Sequence, residues 1–175
     1  GRRGCPRLER AQILRDARLL RDVGGVDERR VARDRQRFLE RMGPGAVALV
    51  QGARLLTRSA DTEFPFRQDS DFHYLTGFDH PDAVAVLRTD GGPRFTLYVQ
   101  PRNRDLEIWT GSRPGVEGAI ADFGADAAHP RGDFEQHLPD LIGRADRVYH
   151  VLGRDRKLDE LLTQTAETLR LRSRL

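Results

Sequence analysis

Apolar residues fall into short unbroken runs at several points along the chain, and these runs predict β-strands. The runs at residues 46–50 and 83–87 are typical of interior strands that are covered on both faces. Residues 94–99 alternate between apolar and polar types, which predicts a strand with Thr96 and Tyr98 facing outward. The predicted strands lie at residues 46–50, 72–75, 83–87, 94–99, 106–109 and 147–151.

Helical periodicity occupies much of the remaining chain. An aspartate precedes three of the predicted helices, at Asp27, Asp133 and Asp155, where its side chain can accept a hydrogen bond from a free backbone N–H. The helices are predicted at residues 8–23, 27–42, 116–123, 133–142 and 155–175. Strands and helices together indicate an α/β fold, with a mixed five- to six-stranded sheet flanked by helices.

The basic residues are concentrated near the start of the chain. Residues 1–44 contain 13 Arg and 7 acidic residues, whereas the remainder contains 17 basic and 20 acidic residues. We therefore predict a helical arm over residues 1–26, in front of a slightly acidic domain over residues 27–175. The basic face of the arm is interpreted as a solvated helix surface, so no nucleic-acid partner is predicted.

Two absences in the sequence narrow the class of protein further. No run of about 18 apolar residues occurs, which argues against a membrane partner. The single cysteine, Cys5, cannot form an internal disulfide, and this is typical of proteins in a reducing compartment. We therefore predict a cytoplasmic location.

A group of acidic and histidine side chains lies between residues 69 and 82, and it is the strongest candidate for a metal site. Its members are Asp69, Asp71, His73, Asp79, His80 and Asp82. Because the predicted strand at 72–75 and a turn separate them, we interpret them as structural hydrogen-bonding groups. No paired histidines of a zinc-binding helix, nucleophile elbow or glycine-rich phosphate loop is found. The sequence therefore predicts neither a catalytic residue nor a bound metal in this chain.

Trp109 is the only tryptophan, and its place in the pattern is unusual. Strand alternation over residues 106–109 puts Leu106 and Ile108 on one side and Glu107 and Trp109 on the other. The apolar pair is expected to face the core, which leaves Trp109 on the polar side. Exposed tryptophan is enriched at interfaces, so we predict a contact role for Trp109 and not a core role.

The stretch from residue 58 to residue 87 resembles the signature of the N-terminal domain of Xaa-Pro aminopeptidases (aminopeptidase P), in the creatinase/prolidase superfamily. The matching pieces are residues 58–61 (Arg-Ser-Ala-Asp), 66–72, 74–78, 107–111 (Glu-Ile-Trp-Thr-Gly) and 113–115. They occur in the family's order, and the agreement spans about residues 30–175. The resemblance implies that the α/β fold is creatinase/aminopeptidase P N-terminal-domain-like.

The resemblance also implies a function. The chain is expected to be the non-catalytic N-terminal domain of a manganese-dependent enzyme that releases an N-terminal residue preceding proline. A dinuclear manganese site is expected in a C-terminal metallopeptidase domain, which this chain does not contain. The domain is expected to support a homo-oligomer, a dimer or tetramer, and to cover a neighbouring subunit's active site. Asp61 and Trp109 match the family's substrate-binding positions, which face the peptide bound by that neighbour.

Two alternatives stay open at this point. The chain can be the N-terminal domain of a prolidase, which has a similar domain plan and a dipeptide substrate. It can also be a stand-alone peptide- or protein-binding module on the same fold, since fold alone does not decide function. The aminopeptidase-type segments Arg-Ser-Ala-Asp and Glu-Ile-Trp favour the aminopeptidase interpretation.

Overall fold

The computed structural model describes residues 7–10, 27–59, 62–103 and 113–172. Within these ranges the chain forms eight strands and five α-helices, with a short 3-10 helix at Arg131–Asp133. In chain order they are β1 (Arg7–Arg10), α1 (Glu28–Met42), β2 (Ala46–Gln51), β3 (Thr57–Ser59), β4 (Thr62–Glu63), α2 (Ser70–Thr76), β5 (Val84–Arg88), β6 (Phe95–Val99), α3 (Gly115–Ala121), β7 (Ala127–Pro130), α4 (Phe134–Ile142), β8 (Arg147–His150) and α5 (Arg156–Arg172). None of the helices in the described ranges combines the length and hydropathy that a bilayer crossing requires.

Six of the strands form one mixed sheet in the order β1-β8-β2-β5-β6-β7. Strand β8 runs parallel to both of its neighbours, β1 and β2. The next two pairs, β2 with β5 and β5 with β6, are antiparallel, and β7 is again parallel to β6. The predicted α/β fold with a mixed sheet flanked by helices is confirmed.

Both faces of the central strands β2, β5 and β6 are buried, because helices cover each side of the sheet. Helices α1, α2 and α3 pack on one face, and α4 and α5 pack on the other. On the first face, small strand residues such as Ala48 and Ala85 lie in the same core cluster as the large rings of Phe38 and Phe72. This pairing of small and large side chains is how a close-packed interior is filled.

The prediction that Thr96 and Tyr98 face outward is wrong. Both side chains are buried, because α4 covers the face of the sheet that a two-layer fold would leave in water. The ring of Tyr98 lies 5.1 Å from the ring of Phe134, and its hydroxyl lies 3.1 Å from His137 Nδ1. Burial raises the pKa of Tyr98 to about 12.

The predicted strand at residues 72–75 is also wrong, because these residues lie inside helix α2. The Asp69 carboxylate accepts hydrogen bonds from the backbone N–H groups of Asp71 and Phe72, and so caps the helix N-terminus. Gly77 ends the helix in the left-handed conformation, with φ of 69°. These two caps define a helix of seven residues, and its aromatic side chains fill the first core face.

The helix predicted at residues 8–23 is corrected at its start. Residues Arg7–Arg10 form strand β1, which pairs with β8. The free edge of β8 offers backbone hydrogen bonds that outweigh the weak local preference for a helix. The arm over residues 1–26 therefore contributes a strand to the sheet, and the rest of the predicted helix, from residue 11, lies outside the described residues.

The structure differs from the prediction at two further places, both between β6 and β8. Strand β7 was absent from the prediction, because Ala-Ala-His-Pro has no strand pattern and is extended only through its pairing with β6. Asp133 precedes α4 as predicted, but its side chain makes no capping hydrogen bond, because the 3-10 helix at Arg131–Asp133 leads directly into α4. The predicted aspartate caps of α1 and α5, by contrast, are confirmed.

Candidate functional site

An open cleft of about 610 Å³ lies where strand β2 ends and helices α2 and α5 begin. Three chain segments line it: the turn after β2, the residues that enter α2 and the loop that leads into α5. The lining residues are Gln51, Gly52, Ala53, Arg54, Leu56, Arg67, Gln68, Asp69, Ser70, Arg154, Asp155 and Arg156. The carboxyl ends of parallel strands are a common place for ligand sites in α/β folds.

Gln68 fixes the inner wall of this cleft. Its Oε1 atom accepts hydrogen bonds from the backbone N–H groups of Ala53, at 2.6 Å, and Asp69, at 2.9 Å. Its Nε2 atom donates to the carbonyl oxygens of Phe78, at 3.1 Å, and His80, at 2.9 Å. One buried side chain therefore holds together the exit of β2, the entry of α2 and the turn before β5. In the sequence, Gln68 is a glutamine in a polar loop, and nothing in its local pattern indicates this role.

Asp69 and Asp71 are engaged by an arginine and are not free to bind a metal. Arg154 Nη1 lies 2.9 Å from Asp69 Oδ2 and 3.7 Å from Asp71 Oδ2. The other oxygen of Asp69 caps α2, as described above. The interpretation of these two residues as structural hydrogen-bonding groups is supported, although a helix and not a strand carries Asp71.

Asp82 belongs to a second group of charges beside the cleft. Its Oδ1 atom lies 3.8 Å from Arg54 Nε and 3.6 Å from Arg131 Nε, and its Oδ2 atom accepts from Gln100 Nε2. His80 is half-buried, and burial lowers its pKa. Among the described residues, no three His, Cys, Asp or Glu side chains lie close enough together to hold a metal ion.

Asp155 joins the outer wall of the cleft to helix α5. Its Oδ1 atom accepts from the backbone N–H groups of Lys157 and Leu158, while Oδ2 accepts from Gln51 Nε2 at 3.0 Å and Arg54 Nη2 at 2.5 Å. Burial alone would raise the pKa of the Asp155 carboxyl. The Leu158 N–H and the Arg54 guanidinium outweigh burial, together with the remaining donors, and hold that pKa below its ordinary value.

Because its folded pKa is lowered, Asp155 stabilises the fold above its unfolded pKa of about 3.9, and this contribution is lost as the pH falls below that value. We expect Asp155→Asn to keep the helix cap but to lose this charge-dependent part, up to about 1 kcal/mol. The urea unfolding midpoints of the wild-type and Asp155→Asn proteins at pH 7, 5 and 3 measure this charge-dependent part of the stability. The wild-type midpoint is expected to fall more than the variant midpoint between pH 5 and pH 3, and parallel curves would contradict the assignment.

A two-stranded hairpin begins at the cleft. None of the strands predicted from the sequence lies here, yet β3 and β4 pair as antiparallel strands. Leu56 lines the cleft and accepts a hydrogen bond from the Phe64 N–H at 2.9 Å, which closes the base of the hairpin. Leu56 is 67% exposed and Phe64 is 49% exposed, and the Arg58 guanidinium lies 5.9 Å from the centre of the Phe64 ring. The hairpin base therefore presents apolar surface to solvent.

The two predicted substrate-binding residues, Asp61 and Trp109, lie outside the described residues. In the sequence, Asp61 falls between β3 and β4. Trp109 falls between β6 and α3. The roles of Asp61 and Trp109 stay predictions.

A mixed six-stranded sheet between two helical layers, with a cleft and a hairpin at one end of its central strands, defines an α/β domain of the creatinase type. The chain belongs to the family described as "Aminopeptidase P, N-terminal domain", whose profile matches residues 31–149. This family assignment confirms the resemblance that the 58–87 stretch indicated.

The similar proteins are peptidases. The chain is 38% identical over 151 residues to the Xaa-Pro aminopeptidase of Escherichia coli (strain K12), covering 85% of this chain and 34% of that one. It is 35% identical over 118 residues to the Xaa-Pro aminopeptidase of Haemophilus influenzae, covering 67% of this chain and 27% of the relative. The solved structure of Pseudomonas aeruginosa aminopeptidase PepP superposes with a TM-score of 0.79 at 37% identity. The match covers 85% of this chain and 34% of that one. The chain thus spans about a third of the length of these relatives.

Proposed function

We propose that this chain is the non-catalytic N-terminal domain of a manganese-dependent Xaa-Pro aminopeptidase. In this proposal the whole protein releases an N-terminal residue that precedes proline. The observation that carries it is the match to Xaa-Pro aminopeptidases over 85% of the chain, at 38% identity, together with the family profile over residues 31–149. The single cysteine, Cys5, supports a cytoplasmic location.

The proposed metal belongs to a C-terminal metallopeptidase domain and not to this chain. The acidic side chains that were the best candidates here are committed to other partners. Asp69 caps α2 and binds Arg154, and Asp82 lies between Arg54 and Arg131. Such a donor set, neutralised by guanidinium groups, does not fit a dinuclear manganese site.

We further propose that the domain supports a dimer or tetramer and covers the active site of a neighbouring subunit. The exposed apolar side chains at the base of the hairpin, Leu55, Leu56 and Phe64, support an assembly contact, because such clusters are uncommon on surfaces that face only water. In this arrangement Asp61, between the two hairpin strands, and Trp109 contact the peptide that the neighbour binds.

Peptidase assays test the proposal. Purified residues 1–175 with added manganese are expected to leave the tripeptide Ala-Pro-Ala intact, whereas the full-length protein is expected to cleave it after alanine and to lose this activity with a chelator. Turnover by residues 1–175 that a chelator abolishes would show that the domain itself is catalytic. Cleavage of the dipeptide Ala-Pro, but not of Ala-Pro-Ala, by the full-length protein would identify a prolidase instead.

A further inference from the structure

We propose that Gln68 is a positioning residue, which fixes the hairpin on the domain and thereby holds the proposed assembly contact in place. The inference rests on the proposed function, because the base of the hairpin is the surface that is proposed to meet a neighbouring subunit. Gln68 itself is buried, with 8% of its surface exposed, so it acts through the hairpin and not by touching the neighbour.

The two ends of the hairpin meet at Gln68. The chain leaves the sheet at Ala53, forms the hairpin and returns to the domain at Gln68. The backbone N–H of Ala53 donates to Gln68 Oε1 at 2.6 Å, so a single hydrogen bond joins two positions that are 15 apart in the sequence. The Phe64 N–H then donates to the Leu56 carbonyl oxygen further out. Residues 54–67 are therefore closed into a loop by the Gln68 side chain.

The amide group of Gln68 has no unused hydrogen-bonding capacity. A glutamine side chain carries two N–H donors and one oxygen that accepts two hydrogen bonds. The oxygen accepts from Ala53 and Asp69, and the nitrogen donates to the carbonyl oxygens of Phe78 and His80. Because a buried polar group that loses its partner is costly, this side chain has one favoured orientation. It holds the ends of the hairpin at a fixed place beside the turn before β5.

Gly52 leaves the space that this arrangement needs. A Cβ atom at position 52 would lie 3.1 Å from Gln68 Oε1, 3.3 Å from Gln68 Nε2 and 3.2 Å from the Ala83 carbonyl oxygen. These distances are shorter than an ordinary van der Waals contact. The Gln68 side chain cannot move aside without stretching its own hydrogen bonds, so a side chain at position 52 would disturb it.

The apolar surface of the hairpin depends on this attachment. Leu55, Leu56 and Phe64 are exposed, so their burial does little to hold the hairpin against its own domain. Arg54 pairs with Asp155 and Asp82, but it is 51% exposed, and ion pairs at exposed positions contribute little. A surface that is already ordered binds more tightly than one that must be ordered on binding. Release of the hairpin is therefore expected to weaken the contact between subunits.

The test compares Gln68→Met with the wild type in the full-length protein. Methionine fills a similar space but cannot replace the four hydrogen bonds. Limited digestion with trypsin is expected to cut after the exposed Arg58, on β3, at least about tenfold faster in the variant, because a released hairpin is open to the protease. Sedimentation is expected to show a dissociation constant of the oligomer that is at least about tenfold higher. Circular dichroism checks that the variant is folded.

Gly52→Ala is a milder change at the same place, and it carries the test if Gln68→Met does not fold. It is expected to raise the cutting rate and the dissociation constant about threefold, because it crowds the Gln68 amide without removing it. The matched control is Thr76→Val. Thr76 is also buried, and its hydroxyl donates to the Phe72 carbonyl oxygen and accepts from the Phe78 N–H, but it makes no hydrogen bond to the hairpin. The control is expected to leave both measurements unchanged.

Three results would overturn the inference. If Gln68→Met and Gly52→Ala matched Thr76→Val in both measurements, Gln68 would not position the hairpin, and the proposed assembly would stand. If cutting after Arg58 were faster but the dissociation constant were unchanged, the hairpin would not be the contact between subunits. If the wild-type full-length protein sedimented as a monomer, the proposed assembly and this inference would both be wrong, whatever its activity on Ala-Pro-Ala.

Discussion

Replacement of Phe72 by alanine is expected to lower the free energy of unfolding of residues 1–175 by about 3–5 kcal/mol. Phe72 is completely buried, and its ring lies 6.5 Å from the ring of Phe78 in an edge-to-face arrangement. Its removal gives up the burial of the ring and leaves a cavity between α2 and the sheet, which the neighbouring side chains fill only in part. Since domains of this size are stable by only about 5–15 kcal/mol, much of the total would be lost.

Urea unfolding followed by circular dichroism measures this loss. The matched control is His73→Ala, the next residue of the same helix, which is half-buried and is expected to cost less than about 1 kcal/mol. A large fall in the midpoint for Phe72→Ala alone confirms that α2 packs on the sheet through Phe72. Similar midpoints for both variants would contradict that packing.

Replacement of Trp109 by alanine is expected to affect the assembled enzyme far more than the isolated chain. A buried aromatic contact at an interface contributes about 2 kcal/mol or more, which corresponds to a loss of about thirtyfold in affinity or kcat/KM. In the full-length protein we therefore expect weaker substrate use or weaker oligomer formation. In residues 1–175 alone the same change is expected to cost under about 1 kcal/mol, because the sequence pattern predicts that Trp109 lies on the polar side of its strand.

Phe72→Ala is the benchmark for this measurement, because it shows what loss of a true core ring costs in the same chain. In the full-length Trp109→Ala variant, activity on Ala-Pro-Ala measures substrate use, and sedimentation measures oligomer formation. If the urea midpoint of Trp109→Ala fell as far as that of Phe72→Ala, Trp109 would be a core residue and its proposed contact with a neighbour would be wrong.

The sequence pattern was sufficient to predict the strands and helices whose local residue preferences agree with their packing in the fold. Strands β2, β5 and β8 and helices α1 and α5 were predicted from apolar runs and helical repeats. Helix α2 was not, because Phe72-His73-Tyr74-Leu75 has the composition of a strand while its caps specify a helix. The capping signal was present in Asp69 and Gly77, and it decided the structure against the propensity of the residues between them.

Strand β6 shows that apolar–polar alternation can identify a strand without showing whether its polar face is buried. Alternation over residues 94–99 correctly identified a strand, yet Tyr98 is as buried as Leu97. Whether a second helical layer covers a strand depends on α4, about forty residues later in the chain. Local pattern carries no information on that contact.

The candidate cleft could not be predicted from the sequence, for a related reason. Arg67 and Arg154 are separated by 87 positions, and only the adjacency of the α2 entry to the β8–α5 loop brings them to one cleft. Gln68 was overlooked because a glutamine in a polar loop is not distinctive by itself. Its position within the 58–87 signature was the one available indication of a special role.

The order of strands in the sheet has a consequence for biosynthesis. Strand β2 is buried on both faces, and one of its two neighbours, β8, follows it by about a hundred residues, with Leu49 and His150 separated by 101 positions. At a translation rate of about 5–20 residues per second, about 5–20 s pass between the emergence of the two strands from the ribosome. Throughout that interval an apolar strand has an unpaired edge, which can pair with other chains. The time during which a nascent copy is prone to aggregate is therefore set by how late β8 occurs in the sequence.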